Sequence, residues 1–246
     1  MRLNDWIVLM SLGLIWGTSY LFIKIAVQQF PPPTLVVIRL GLASVVLVPV
    51  VLLRRHPFPR DPRTWGRLVF LGAVNSAVPI GLIAWGEQFI TSAAASILNA
   101  TTPLWSVLFV SLLGEESLGW VRAAGVAVGF GGVTILLGLS PEELGRANLL
   151  GSLAVILASA LYAAGMLYAR RLGSLDPVVL SVGSLAGGAL SLLPFALAAG
   201  VPARPSPAAL GSLLALSLVG TAVAYLLYFY LVLNVGATSE RPCGWR

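Results

Sequence analysis

Charged residues are scarce in this sequence of 246 residues. Lys and Arg number 15 and Asp and Glu number 9, which together is 10% of the chain, whereas hydrophobic residues make up 58%. A soluble domain typically carries about 25% charged residues, so this chain cannot cover a water-facing surface with so few. The mean hydropathy of +0.93 indicates that lipid is its main solvent.

Residues that carry metal or nucleophilic chemistry are also nearly absent. The one cysteine, Cys243, excludes an internal disulfide and gives no zinc or iron–sulfur spacing. The one histidine, His56, lies in a basic loop without partners, which favours a solvated side chain. The phosphate-binding patterns GxGxxG and GxxxxGK[ST] do not occur. The sequence therefore predicts no metal, no cofactor and no catalytic residues.

The net charge of +6 does not indicate a nucleic-acid partner. Nucleic-acid binding needs basic residues clustered on one face of a folded domain. Here they lie in short gaps between apolar runs, so the predicted partner is the lipid bilayer.

Long apolar runs dominate what is present. A helix that crosses a bilayer needs roughly 20 mainly apolar residues. The segments that meet this requirement are residues 6–27, 32–53, 67–87, 92–113, 118–139, 148–169, 177–198 and 208–232. No gap between them is long enough for a soluble domain. The sequence therefore predicts an all-α integral membrane protein of about eight transmembrane helices.

The placement of Lys and Arg predicts the orientation, because cytoplasmic loops carry an excess of both. With a cytoplasmic N-terminus, the outside ends hold only Arg146 and Arg204. The inside ends then hold Arg2, Arg54, Arg55, Arg60, Arg63, Arg67, Arg122, Arg170, Arg171, Arg241 and Arg246. We therefore expect a multi-pass protein of the cell (inner) membrane with both termini in the cytoplasm.

The chain also contains an internal repeat. At an offset of 146 residues the matching pairs are Lys24 with Arg170, Pro31 with Pro177 and Gly41 with Gly187. At an offset of 145 residues they are Ser76 with Thr221, Ala77 with Ala222 and Trp85 with Tyr230. The first unit would hold five helices, and an odd number inverts the second unit in the membrane. Inverted-topology repeats are common in secondary transporters, which bind substrate near mid-membrane where the repeats meet.

The second unit of the predicted repeat is incomplete. The first repeat covers residues 1–139, the second 148–238, and an aberrant tail follows at 239–246. At the same offset a complete second repeat would extend well beyond Arg246, and the tail SERPCGWR has no aliphatic residue. We expect a truncation or a shifted reading frame that removes two helices, with a natural short form as the alternative.

Five segments together carry a family resemblance. They are IWGTSYLFIKIAVQQFPPPTLVVIRLGLA (Ile15–Ala43), WGEQFITSAAASILNATTPLW (Trp85–Trp105), LLGEESLGWVRAAGVAVGFGGVTILL (Leu112–Leu137), SALYAAGMLYARRL (Ser159–Leu172) and GTAVAYLLYFYLVLNVGAT (Gly220–Thr238). In this order they resemble the drug/metabolite transporter superfamily, specifically its EamA-type members. The resemblance covers nearly the whole chain up to Thr238.

The resemblance implies a small-molecule transporter with ten helices in two inverted halves. We therefore expect a secondary transporter that moves small metabolites or drugs by alternating access, as an exporter or exchanger, and not an enzyme. Two alternatives stay open. One is a non-transporting truncated remnant or membrane assembly partner, and the other is a membrane-embedded enzyme, which would need clustered His, Asp, Glu or Cys near an interface. A homodimer could supply the wall that missing helices leave open.

Three charged residues fall within or at the ends of predicted spans, where a charge at helix centre costs about 2.5–3.5 kcal/mol. Lys24, Arg39 and Glu87 all fall in the outer third of the membrane, with Arg39 about 10 Å deep at 1.5 Å per residue. Arg39 could pair with Glu87 or bind an anionic group of the substrate. Alternatively, Arg39 only locks helices together and Lys24 extends to the interface. Glu87 could bind a proton and couple it to transport, or be solvated.

Neutral polar and aromatic residues complete the predicted cavity wall. Prolines near Asn75, Asn99 and Thr101 free backbone carbonyls, which can face a cavity. Aromatic rings could stack on a substrate, although helix–helix hydrogen bonding and ordinary packing explain both groups equally well. The predicted substrate-binding residues are Trp16, Arg39, Asn75, Trp85, Glu87, Asn99, Thr101, Tyr162 and Tyr225.

Overall fold

A computed structural model describes residues 3–53, 58–114, 119–138, 146–172 and 175–231 of the chain. The predicted tail at 239–246 and the turn around Glu115 lie outside these ranges. Within them the secondary structure is helical, and no strand occurs. The helices are α1 (Leu3–Ala26), α2 (Pro32–Leu53), α3 (Pro62–Gly72), α4 (Val78–Gly86), α5 (Ser92–Asn99), α6 (Thr102–Leu112), α7 (Trp120–Gly138), α8 (Arg146–Arg171), α9 (Pro177–Ala199), α10 (Pro207–Ser217) and α11 (Ala224–Leu231).

Seven helical segments of the described chain are long and apolar enough to cross a membrane. They are Leu3–Ala26, Pro32–Leu53, Pro62–Gly86, Ser92–Leu112, Asn148–Arg171, Pro177–Ala199 and Pro207–Tyr228. Where the sequence predicts one further span, at 118–139, the structure has α7, whose residues Ala123–Gly132 form a shorter apolar helix. The prediction of an all-α integral membrane protein is confirmed.

Two of the spans contain a wide π-helical turn. The turn Ala73–Ala77 joins α3 to α4, and the turn Leu218–Val223 joins α10 to α11. A π turn leaves part of the regular helical hydrogen bonding open and occurs often at functional sites. Each turn therefore marks a place where polar groups can face the interior of the bundle.

The corners between spans are set by proline and by capping side chains. The helices α3, α9 and α10 each begin at a proline, whose missing N–H group is not needed in the first turn. The preceding residues Asp61, Asp176 and Ser206 accept hydrogen bonds from backbone N–H groups of that turn. These caps fix where each span begins and hence where its interior residues face.

The repeat offset found in the sequence also relates the helices. Pro177 begins α9 145 residues after Pro32 begins α2. The same offset separates the starts of α3 and α10 and the starts of the two π turns. We call α1–α7 the first half and α8–α11 the second half. Their boundaries and their inverted relation in the membrane stay predictions.

The two halves pack tightly against each other through glycines. The helix α2 lies against α9, α3 against α9, α4 against α8, and α1 against α10. A methyl group added at Gly72 would lie 1.9 Å from the carbonyl oxygen of Ser184 and 2.4 Å from the backbone nitrogen of Gly188. Likewise, one added at Gly86 would lie 2.7 Å from the carbonyl oxygen of Gly151. Glycine at these contacts lets the backbones of opposite halves touch.

Candidate functional site

Arg39 lies in the interior of the bundle, on the buried face of α2. Its neighbours on the same face of α2 include Leu35, Val36, Leu40 and Ala43, all at 0% exposure, and Arg39 itself is 7% exposed. Because this face of α2 packs against α9 and α10, the long arginine side chain is enclosed with it. A guanidinium stays protonated in proteins, so a permanent positive charge lies inside the bundle.

The guanidinium of Arg39 is held by the π turn of the second half. Its Nε donates a hydrogen bond of 2.9 Å to the hydroxyl of Thr221. That hydroxyl in turn donates to the carbonyl oxygen of Leu216, five residues earlier and 2.9 Å away. The widened turn therefore orients Thr221, and Thr221 orients Arg39.

Three tyrosines lie near the guanidinium. They are Tyr162, Tyr225 and Tyr20, from α8, α11 and α1. Together with Arg39 and Thr221 they form what we call the Arg39 cluster. Tyr162 and Tyr225 pack against the hydrophobic core while keeping their hydroxyls near the charge. The cluster thus combines one cation, hydroxyl groups and aromatic faces, and it is built from both halves.

Two further polar side chains extend the Arg39 cluster. The Nδ2 of Asn99 donates a 2.7 Å hydrogen bond to the hydroxyl of Tyr20. The side chain of Ser76, in the π turn of the first half, is a hydrogen-bond partner of Tyr225. Each π turn therefore contributes a hydroxyl residue, Ser76 or Thr221, that reaches a residue of the opposite half.

Lys24 and Glu87 form a separate site, the Lys24–Glu87 corner. The ammonium of Lys24 donates to the backbone carbonyl of Glu87 and, at 2.8 Å, to that of Ile90. The Glu87 side chain is 0% exposed. The charge of Lys24 and a hydrogen bond from the side chain of Ser92 both favour its ionised form. The corner thus holds a buried acid beside a tethered cation.

The expected grouping of Lys24, Arg39 and Glu87 is therefore divided between two places. No ion pair forms between Arg39 and Glu87 within the described part of the chain, because the Arg39 side chain extends to the π turn instead. Nor does Lys24 extend only to the interface, since it caps two carbonyls. Tyr20 lies within electrostatic range of both Glu87 and Arg39 and so connects the two sites.

The remaining predicted amide and hydroxyl residues line the contact between halves. Asn75 lies against Gly165 of α8, where an added methyl group would be 2.6 Å from the Asn75 Cβ, and its buried Oδ1 has no partner among the described residues. The Oδ1 of Asn99 is likewise without one. The hydroxyl of Thr101 shares a 2.8 Å hydrogen bond with Ser159 of α8. Thr101 therefore connects helices, whereas both asparagines keep an acceptor free.

The two predicted tryptophans are partly exposed and pack against other rings. Trp16 is 41% exposed and contacts the ring of Tyr228 at 6.4 Å between centroids. Tyr228 in turn contacts Tyr225 at 6.3 Å. Trp85 is 37% exposed and makes an edge contact with Phe89 at 4.9 Å. The structure thus places Arg39, Tyr162 and Tyr225 in one cluster, with Asn99 attached to it and Trp16 connected to it through Tyr228.

Tyr20 and Thr221 belong to the Arg39 cluster, but sequence reasoning did not select them. A signal for Tyr20 existed, because it lies four residues from both Trp16 and Lys24 and so on the same face of α1. Thr221 matched Ser76 in the repeat alignment, which identified its position but not its partner. Only the fold brings it to Arg39, 182 residues away in the chain.

The residues of the Arg39 cluster are suited to binding a small molecule. No group of His, Cys, Asp and Glu that could hold a metal ion occurs among the residues the structure describes. What the cluster offers is a fixed cation with hydroxyl donors and aromatic surface, which are features of small-molecule binding sites.

Comparison with known proteins identifies a family. The sequence model of the EamA-like transporter family matches residues 6–138 and 149–240. The chain is 30% identical over 238 residues to the uncharacterized inner membrane transporter YedA of Escherichia coli (strain K12), with 92% of this chain and 74% of that protein covered. It is 28% identical to an uncharacterized transporter of Archaeoglobus fulgidus, with 92% and 79% covered.

A more distant relative and a solved structure also match most of this chain. A WAT1-related chloroplastic protein of Arabidopsis thaliana is 27% identical, with 92% of this chain and 57% of that protein covered. A solved crystal structure with a TM-score of 0.67 and 19% identity covers 99% of this chain and 91% of its own. At that identity the likeness concerns the fold alone.

Proposed function

The chain belongs to the EamA-like transporter family, and from that premise we propose that it is a secondary transporter that carries small metabolites or drugs by alternating access. It is a multi-pass membrane protein, and its relatives are transporters of small substrates. The observation that carries the finer proposal is the Arg39 cluster, whose members come from both halves. A site between two rocking halves is the arrangement that alternating access requires.

Hydrogen bonds between the halves close one end of the bundle. The Nε2 of Gln29 donates to the hydroxyl of Ser206 at 2.9 Å, and the backbone N–H of Ser206 donates to Oε1 of Gln29 at 2.7 Å. The hydroxyl of Thr34 donates to the carbonyl of Gly200 at 2.8 Å. These contacts support a state that is closed at this end. We assign it to the outside, with the N-terminus in the cytoplasm, because Lys and Arg concentrate at the other end.

Alternating access predicts that this closed end must open during transport. A variant with Gln29→Cys, Ser206→Cys and Cys243→Ser, reconstituted in liposomes, would be treated with a short bifunctional cross-linker that forms a disulfide with each cysteine. We expect exchange of a labelled substrate to stop on cross-linking and to return on reduction. Single-cysteine variants serve as controls. Unchanged exchange in the cross-linked protein would contradict alternating access at this end.

We further propose that Glu87 couples transport to protons. Its carboxylate is buried, and the charged form is stabilised chiefly by Lys24, with the side chain of Ser92 as a further partner. Protonation would remove that attraction and loosen the Lys24–Glu87 corner. We expect Glu87→Gln to abolish the pH dependence of transport in proteoliposomes. An unchanged rate and pH profile in this variant would contradict the role.

The direction of transport is proposed to be export or exchange, as the family resemblance implies, and we propose no enzymatic activity. Reconstituted protein that moves none of a broad panel of metabolites and drugs would instead favour a membrane assembly partner.

A further inference from the structure

The positive charge of Arg39 has no negative counterpart among the residues that the structure describes. The guanidinium offers five N–H donors, and within the described ranges it donates one hydrogen bond, to Thr221. No carboxylate of the described residues forms an ion pair with it, and the three tyrosines are the titratable groups near it. A buried charge is normally paired or bonded to further acceptors. An anion bound at Arg39 would supply the pairing that the described residues leave open.

The geometry defines which part of Arg39 is available. Thr221 binds Nε, and this leaves the edge formed by the two terminal nitrogens. That edge is planar and presents two parallel N–H groups, which match the two oxygens of a carboxylate. Gly220 lies beside this edge, since a methyl group added there would be 3.8 Å from a terminal nitrogen of Arg39 and 3.1 Å from the hydroxyl oxygen of Ser19. The tyrosine rings would enclose the organic part of such a ligand.

The charge balance favours a monoanion over a dianion. The other cation nearby, Lys24, already donates to two carbonyls of the Lys24–Glu87 corner. Arg39 thus offers a single positive charge, and a phosphate dianion would keep one negative charge uncompensated inside the membrane, which is costly. Resting on the proposed function, we propose that the Arg39 cluster binds the carboxylate of a small organic monoanion, and that this class includes the transported substrate.

Binding to the purified full chain in lipid nanodiscs tests the proposal. The probes are aromatic, aliphatic and α-amino monocarboxylates, each paired with its primary amide, together with inorganic phosphate. We expect one or more carboxylates to bind and their amides to bind about tenfold to a hundredfold more weakly, as a charge-assisted bidentate pair predicts. Equal binding of acid and amide, binding of phosphate alone, or no bound carboxylate would each overturn the proposal.

Substitutions connect that selectivity to the cluster. Arg39→Met should remove the preference for acid over amide, and Arg39→Lys should keep only part of it because an ammonium lacks the planar fork. Thr221→Val keeps the charge but frees Nε, so acid affinity should fall several-fold even if Arg39→Met does not fold. Arg67→Met removes an exposed arginine of α3 and should change nothing. Acid selectivity and acid affinity that stay at the wild-type level in both Arg39→Lys and Thr221→Val would overturn the assignment.

Transport separates this proposal from the one on which it rests. If liposomes with the wild-type chain move amides or amines but no carboxylate, the substrate class is wrong and the transporter stands. If carboxylates bind with the expected selectivity but no probe is moved, the Arg39 site stands and transport by this chain is refuted.

Discussion

The contact between Gly72 and Gly188 allows one prediction to be worked through in detail. In Gly72→Ala, the new methyl group would lie 1.9 Å from the carbonyl oxygen of Ser184. Ordinary contact begins at 3.4 Å, so α3 and α9 would have to separate by about 1.5 Å. The atoms in the way belong to the backbone of a 23-residue helix, and no side chain can rotate to make room.

The magnitude follows from two opposing effects. Overpacking typically costs about 1–3 kcal/mol, and a contact with rigid backbone falls at the upper end of that range. The alanine recovers about 1 kcal/mol of helix propensity. We therefore expect Gly72→Ala to lower the free energy of unfolding by about 2 kcal/mol, which corresponds to a melting temperature lower by about 4–8 °C for a chain of this size.

The assay is thermal unfolding of the purified protein in detergent, followed by tryptophan fluorescence. Gly66→Ala is the matched control, because Gly66 lies in the same helix and a methyl group there meets nothing within 4 Å. The control should melt at or above the wild-type temperature. If Gly72→Ala and Gly66→Ala have the same melting temperature, the close approach of the two halves at α3 and α9 is wrong.

Two further predictions concern the ends of spans. Lys24→Met removes the two hydrogen bonds to carbonyls at the Lys24–Glu87 corner. Because Lys24 is only half-buried, we expect the free energy of unfolding to fall by about 2 kcal/mol, measured as a lower melting temperature. Lys24→Arg should retain most of the wild-type stability. Asp176→Ala removes the side chain that accepts from the N–H groups of Val178 and Val179 and should cost about 1 kcal/mol, whereas Asp176→Ser should melt close to wild type. Equal melting temperatures for Lys24→Met and Lys24→Arg would contradict the first assignment. A melting temperature of Asp176→Ser no higher than that of Asp176→Ala would contradict the second.

The spans were predictable from the sequence because each depends only on local composition. Runs of apolar residues bounded by Pro32, Pro62, Pro177 and Pro207 are visible without tertiary information, and these prolines begin helices in the structure. The membrane environment makes a long apolar segment helical almost regardless of its neighbours, since its backbone groups must be satisfied internally.

The partners of the charged residues were not predictable in the same way. The depth of Arg39 followed from its position after Pro32, but its contact with Thr221 depends on how the halves meet. Lys24 binds backbone carbonyls, and every residue has a carbonyl, so no sequence pattern marks that contact. The close contacts between halves at Gly72 and Gly86 likewise depend on which helices meet, and only the structure shows them.

The π turns have a consequence for the direction in which whole helices face. Each residue added to a regular α-helix rotates every side chain after it by about 100° around the axis. A π turn instead fits its extra residue into about one full turn, so the helices on its two sides keep their phase. The turn Leu218–Val223 therefore lets the span hold one residue more while Tyr225 of α11 still faces the same side as it would on a regular helix. The extra residue in each span is thus accommodated as a local widening, which places Ser76 and Thr221 at the interior without turning the rest of the helix away.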